Sequence, residues 1–263
     1  MKHLAPIAAC LTILTTSMLL AQPPKLGYDD TPMQPGGRWH IHDGARPQPR
    51  IVTPGNALGA APSDAVVLFG SRGDLSKWRM QDGSPITWSS TNGVLESAKG
   101  YIQTREEFSD FQLHIEWATP APPKGDGQAR GNSGVFLLGK FEVQVLDSFH
   151  NPTYPDGQAA ALYGQFPPLV NASRPPAEWQ AYDIVFDAPR FSDQKVAAPA
   201  IVTVFHNGVV VHHAAQYWGA TTHRAIVPYT PDMVKGPIAL QDHQNPVQFR
   251  NIWIRPLAGY DAT

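Results

Sequence analysis

The segment Phe111-Gln-Leu-His-Ile-Glu-Trp117 alternates apolar and polar residues without a break. A strand sends successive side chains to opposite faces, so Phe111, Leu113, Ile115 and Trp117 share one face and Gln112, His114 and Glu116 the other. Phe141-Glu-Val-Gln-Val145 repeats the pattern, with Glu142 and Gln144 opposite Phe141, Val143 and Val145. Further short runs at 65–69, 179–186, 201–205, 209–212, 238–241 and 249–254 are of strand length. Asn92-Gly93 and Asn207-Gly208 are hairpin signals, because both residue types tolerate positive φ. The 26 prolines and 22 glycines leave little room for long helices. Together these features predict an all-β fold over 63–258, a two-sheet antiparallel β-sandwich.

The chain before that region reads differently. Lys2 and His3 precede an apolar run over 4–20, and Ala21 offers a small residue for cleavage. This predicts a signal peptide over 1–21, a periplasmic or secreted location, and no membrane span after cleavage. The only cysteine, Cys10, falls inside it, so the mature chain is expected to lack disulfides, thiolate metal sites and a cysteine nucleophile. Residues 22–62, rich in Pro, Gly and Gln, are expected to form an extended N-terminal arm. Within the arm, His40 and His42 would share a face of an extended segment, a minimal metal-binding pattern. A formal charge of -2 gives no general attraction to nucleic acid or anionic lipid.

Several groups of residues carry chemistry. The stretch 132–147 reads as a hairpin whose second strand places Glu142 and Gln144 on one face. Such a face meets solvent or lines a concave cleft. Asp147, five residues after Glu142, needs a bulge to join that face. Gln241-Asp242-His243, followed by Asn245 and Arg250-Asn251, sits between two strands, and the imidazole of His243 can serve as a base, an acid or a metal ligand. Glu178-Trp179 introduces a strand, and a Trp beside a polar cleft can stack on a sugar ring. His212 and His213 are neighbours on a strand and point apart. The chain lacks a Gly-x-Ser-x-Gly elbow, a His-Glu-x-x-His pair and a phosphate-cradling Gly-Lys-Ser/Thr loop.

An ordered set of motifs then points to one family. Val67-Leu-Phe with Asp74-Leu-Ser-Lys-Trp78, Asn132-Ser-Gly-Val-Phe-Leu, Phe141 to Asp147, Trp179-Gln-Ala-Tyr-Asp183, Asn207-Gly208, Leu240-Gln-Asp-His243 and Val247-Gln-Phe-Arg-Asn-Ile-Trp253 follow in turn. Together they resemble the 3-keto-disaccharide hydrolase domain family. The pattern departs at Gly70, where the family has Asp, and at the inserted Arg72. The resemblance implies a concanavalin-like jelly roll with a concave sugar cleft and cleavage of glycosides bearing a 3-keto sugar. It implies Glu142, Gln144, Asp147 and His243 as the catalytic set, and Asn132, Glu178 and Arg250 as neighbours. Trp179 and Gln241 join these as substrate contacts. A divalent metal ion on Glu142 and His243 is a further implication, with no organic cofactor, and a carbohydrate is the expected partner. Elimination then hydration is the expected chemistry. The Glu142-x-Gln144-x-x-Asp147 spacing also resembles laminarinase-type jelly rolls, which act on unoxidised glycans. A non-catalytic carbohydrate-binding module is the third reading, since the fold hosts both.

Overall fold

The computed structural model describes residues 26–261. The expected signal peptide, with Cys10, lies outside them. The described chain divides into two units, one ending at Arg50 and including Asp261, the other spanning Ile51–Tyr260. In the first unit the chain turns back on itself. Tyr28 N–H donates to the His42 carbonyl (2.9 Å), and Met33 and His40 form an isolated bridge. Arg46 Nε (2.7 Å) and Trp39 Nε1 (3.0 Å) both donate to the Asp261 carboxylate. Between Tyr28 and Arg46 the chain is therefore folded on itself. His40 and His42 do not lie on one extended face: His42 has φ 59°, and His40 Nδ1 is engaged by the Thr31 carbonyl. Residues 51–62 belong to the larger unit, where the Gly59 carbonyl accepts from Asn251 Nδ2 (2.9 Å) and Trp253 Nε1 (2.8 Å).

The larger unit is built from strands β1 (Val66–Phe69), β2 (Trp78–Met80), β3 (Ser89–Thr91), β4 (Val94–Glu96), β5 (Ile102–Thr104), β6 (Phe111–Ala118), β7 (Ser133–Leu137) and β8 (Phe141–Val145). These are followed by β9 (Gln180–Asp187), β10 (Arg190–Ser192), β11 (Lys195–Ala198), β12 (Ile201–His206), β13 (Val209–Gln216), β14 (Ala239–Leu240) and β15 (Gln248–Pro256). One sheet has the order β13-β12-β9-β6-β15-β4-β3, with β1 also on β15; the other has the order β2-β5-β14-β7-β8. Strands β10 and β11 form a separate ribbon. The expected antiparallel sandwich is what forms. Asn92-Gly93 (φ 51° and 74°) joins β3 to β4, and Asn207-Gly208 (φ 53° and 80°) joins β12 to β13. Paired positive φ values match the right-handed twist of the flanking strands.

The core lies between the sheets. Phe111, Leu113, Ile115 and Trp117 face Phe141, Val143 and Val145, and all seven are fully buried. The Phe141 and Phe186 rings meet across the sheets at 5.7 Å. Burying such a side chain contributes about 2–3 kcal/mol, so the period-two pattern sets which face of each sheet turns inward. The second face of β6 is not left to solvent. His114 stacks on Trp253 (5.4 Å) and binds Asp183 (2.6 Å). It lies under Gly59, where a Cβ would come within 2.9 Å of its Nε2. His212 is likewise buried, with Nε2 2.9 Å from the Ala160 carbonyl, whereas His213 is exposed.

Candidate active site

The β7–β8 hairpin has an unbroken register from Ser133 opposite Val145 to Leu137 opposite Phe141. Alternation turns Glu142 and Gln144 away from the core, onto the outer face of the smaller sheet. Both are nonetheless buried. The free edge of β8 is occupied by the chain around 160–163: Gln144 N–H donates to the Ala161 carbonyl (2.9 Å), and Ala160 N–H donates to the Gln144 carbonyl (2.8 Å). Thr221 Oγ1 accepts from the Glu142 amide (2.9 Å). From the core side, Tyr182 Oη donates to the Gln144 carbonyl (2.7 Å) and Tyr217 Oη to the Glu142 carbonyl (3.3 Å). The Glu142 carboxyl lies over Gly134, where a Cβ would come within 2.3 Å of Oε1. Glycine is thus the residue that leaves this carboxyl its place.

Glu142 and Gln144 form part of the wall of a cleft of about 480 Å³. Asn132, Gln241 and His243 line it from the hairpin start and from the loop after β14; Tyr101, Phe136, Tyr163, Thr221, Thr222 and His223 complete it. The His243 loop is tied down at both ends. Ser133 Oγ donates to the Gln241 carbonyl (2.6 Å), the Asp242 carboxylate accepts from Gly100 N–H (3.0 Å), and Asn245 Nδ2 donates to the His243 carbonyl (2.9 Å). Gln241 Nε2 donates to Tyr101 Oη (2.8 Å), while its buried Oε1 has no partner. The Gln144 amide lies 3.1 Å from Glu142 Oε1, as a nitrogen donor in the orientation that also satisfies the Ser133 carbonyl (2.7 Å). A line of hydroxyls runs along one rim: Tyr154 Oη to Tyr163 Oη (3.0 Å), then Tyr163 Oη to His223 Nδ1 (3.1 Å).

Electrostatics set the state of these groups. Burial pushes the Glu142 carboxyl up to about 8, because the charged form loses its water without gaining a cation. At neutral pH it therefore holds its proton and can donate it. Burial also raises Tyr163 and Tyr101 above the ordinary phenol range, so both remain hydrogen-bond donors.

The sequence that builds this sandwich matches a known family. The model for the 3-keto-alpha-glucoside-1,2-lyase-like domain aligns with residues 64–255. The chain belongs to this lyase-like family. A crystal structure of a candidate glycosyl hydrolase from Parabacteroides distasonis ATCC 8503 is similar, with 43% identity, a TM-score of 0.77, and coverage of 86% of this chain and 100% of that one. Two more candidate glycosyl hydrolases from that organism share the fold. One is 20% identical (TM-score 0.56, 74% of this chain and 94% of the other), the second 24% identical (TM-score 0.55, 73% and 99%). No curated protein matches the chain.

In this member of the lyase-like family, five of the expected site residues meet in one cleft: Asn132, Glu142, Gln144, Gln241 and His243. Four others do not line it. Asp147 follows the end of β8 with no bulge to bring it round, and its buried carboxylate is committed to Arg130 Nε (2.7 Å) and Phe149 N–H (3.2 Å). Arg250 lies on β15 of the other sheet, pairs with Glu116 (2.6 Å) and sits over the Trp179 ring at 4.0 Å, which occupies that indole face. Glu178, beside Trp179, is exposed. Tyr101, Tyr163, Thr221 and His223 escaped the sequence reading. Only Tyr101 carried a signal, alternating with Ile102 at the head of β5.

These placements give a clean separation of roles for Asp147. Asp147→Ala leaves Arg130 without its buried partner and should cost about 3–5 kcal/mol in denaturant unfolding, with kcat of the folded fraction unchanged. Loss of activity at unaltered stability would instead place Asp147 in the chemistry. Among the described residues no group of three or more His, Cys, Asp or Glu converges. Glu142 and His243 supply two donors on the cleft lining, whereas a zinc ion takes three or four protein ligands, so these residues do not fit a tightly held zinc ion.

Proposed function

We propose that this protein cleaves glycosides whose sugar carries a ketone at C3, by elimination followed by hydration, after export to the periplasm or beyond. The observation that carries the proposal is Glu142, a buried carboxyl protonated at neutral pH in a polar cleft that two imidazoles, His223 and His243, also line. Family membership supports the substrate class. A C3 ketone acidifies the proton on C2. His243, exposed on the lining of the cleft, takes that proton. The C1–C2 double bond forms, the bond from C1 to the glycosidic oxygen breaks, and Glu142 protonates the leaving oxygen. Water then adds at C1 and gives up a proton to the Glu142 carboxylate while the His243 imidazolium returns its proton to C2, giving the free 3-keto sugar, the released alcohol and both side chains in their starting states. Gln241 Oε1, buried and unpartnered, accepts a sugar hydroxyl. Direct hydrolysis by paired carboxylates needs two carboxyl groups about 5–10 Å apart. The cleft lining holds one, Glu142.

The test offers paired 3-keto and unoxidised glucosides to the purified protein, with and without chelator, and follows products by mass spectrometry. Release from the keto substrate alone, insensitive to chelator, is expected. His243→Ala should lower kcat roughly 10²–10⁴-fold with the fold intact, since the side chain is exposed. Near-normal turnover by that variant removes His243 as the base. Equal release from unoxidised glucosides favours direct hydrolysis, and binding without release favours a non-catalytic module.

A further inference from the structure

The Glu142 cleft does not stand alone. A second hollow, of about 600 Å³, shares Tyr163, Thr222 and His223 with it. The two therefore adjoin across the phenol of Tyr163 and the imidazole of His223, and a single ligand crossing that boundary occupies both.

Their chemistry differs. The first is lined by Asn132, Glu142, Gln144, Gln241 and His243, groups that exchange hydrogen bonds with a hydroxylated ring. The second is lined by Tyr154, Gly164, Ala225 and Ile226 as well as Asp156 and Arg224. Two of these are large apolar side chains left open to solvent, Tyr154 at 42% and Ile226 at 71% exposure. Exposed apolar groups gathered on one concave surface mark a binding surface rather than a core. Arg224, held at φ 58°, makes no ion pair among the described residues, so its guanidinium is available to an electron-rich ring or its oxygen substituents.

We infer that this hollow is the leaving-group subsite and that it takes a planar, apolar, aromatic aglycone in preference to a second sugar. The inference rests on the proposed glycoside cleavage for the word leaving group. The preference itself is a matter of binding. In the reaction, the bond from C1 to the aglycone oxygen would lie near Tyr163 and His223, with the proton from Glu142 delivered to that oxygen.

The test separates binding from turnover. Titration calorimetry of the wild-type protein with phenyl and methyl β-glucosides, and with their α-anomers, reads the subsite without the ketone. Phenyl glucoside of one anomeric series should bind roughly tenfold more tightly than its methyl partner. Ile226→Ala, a change at an exposed side chain, should cut that advantage about fivefold without altering methyl glucoside binding. Equal or undetectable binding of phenyl and methyl ligands overturns the subsite, as does an Ile226→Ala effect of the same size on both. Preserved phenyl preference with no turnover of any 3-keto glucoside sinks the proposed reaction and leaves the subsite standing. Tighter binding of a disaccharide than of phenyl glucoside assigns the hollow to sugar and overturns the aromatic preference.

Discussion

Glu142→Gln should abolish turnover and at the same time flatten the pH dependence of stability. The carboxyl has an ordinary value of 4.5 and is raised to about 8 in the fold. Between those values the unfolded chain has lost this proton and the folded chain keeps it. The folded state binds more protons, so stability falls as pH rises through that window and levels off above it. At about 1.4 kcal/mol per unit, the group alone withdraws up to about 5 kcal/mol between the two values. Glutamine fills the same space and cannot ionise. Thermal unfolding at pH 5, 6.5 and 8 should show the wild type losing stability relative to Glu142→Gln as pH rises. Parallel curves for the two proteins would remove the buried, protonated carboxyl from the account. Activity carries the same signature, because a general acid is spent once deprotonated. The wild-type rate should decline on the alkaline side of about pH 8.

Gly134→Ala should lower kcat roughly a hundredfold while leaving the fold in place. The added methyl would meet Glu142 Oε1 at 2.3 Å and Phe136 Cε2 at 3.0 Å, so the carboxyl must move. Gly134 does not have a positive φ, and alanine is a better strand residue than glycine, so the backbone has no objection. A displacement near 1 Å at a reacting group costs on the order of 10² in rate. A double-mutant cycle makes the claim specific. In a Glu142→Ala background, Gly134→Ala should have no further effect on the residual rate. An equal loss in both backgrounds would mean that the methyl acts through Phe136 or the strand instead.

Much of this arrangement is legible in the sequence. The alternation in Phe111–Ala118 and in Phe141–Val145 assigns inward and outward faces, and the fold keeps both assignments. The two Asn-Gly pairs fix hairpins because their φ values are a property of the residues themselves. Glu142, Gln144, Asn132, Gln241 and His243 were readable for a related reason: each sits on, or one to three residues from, a strand whose phase the pattern sets. Trp179 and Arg250 lie outside the cleft for a reason of the same kind. Periodicity tells which face of its own sheet a residue takes, and not which of the two sheets carries the cleft. Asp147 lies off the cleft lining because β8 ends at Val145, and beyond a strand end the period carries no information. Tyr163 and His223 come from segments without strand periodicity, delivered to the cleft by backbone pairing with β8 and by the chain after β13. His114 shows the converse. A polar residue in phase with a solvated face is covered by Gly59, a contact between residues 55 positions apart in sequence that alternation cannot foresee.

The way β8 is held has an evolutionary reading. Its two edges are engaged by β7 and by the chain at 160–163, and its carbonyls are met from the core by Tyr182 and Tyr217. The acid-bearing strand is thus buried in constraints, so nearly any substitution that shifts it disturbs the core as well. The stretch from Arg224 to Ile226, by contrast, joins strands without belonging to one, lines only the second hollow and is exposed throughout. Mutations there change what the second hollow accepts at small risk to folding. Descendants of such a chain can change their choice of leaving group by drift in this segment while inheriting the proton donor unaltered.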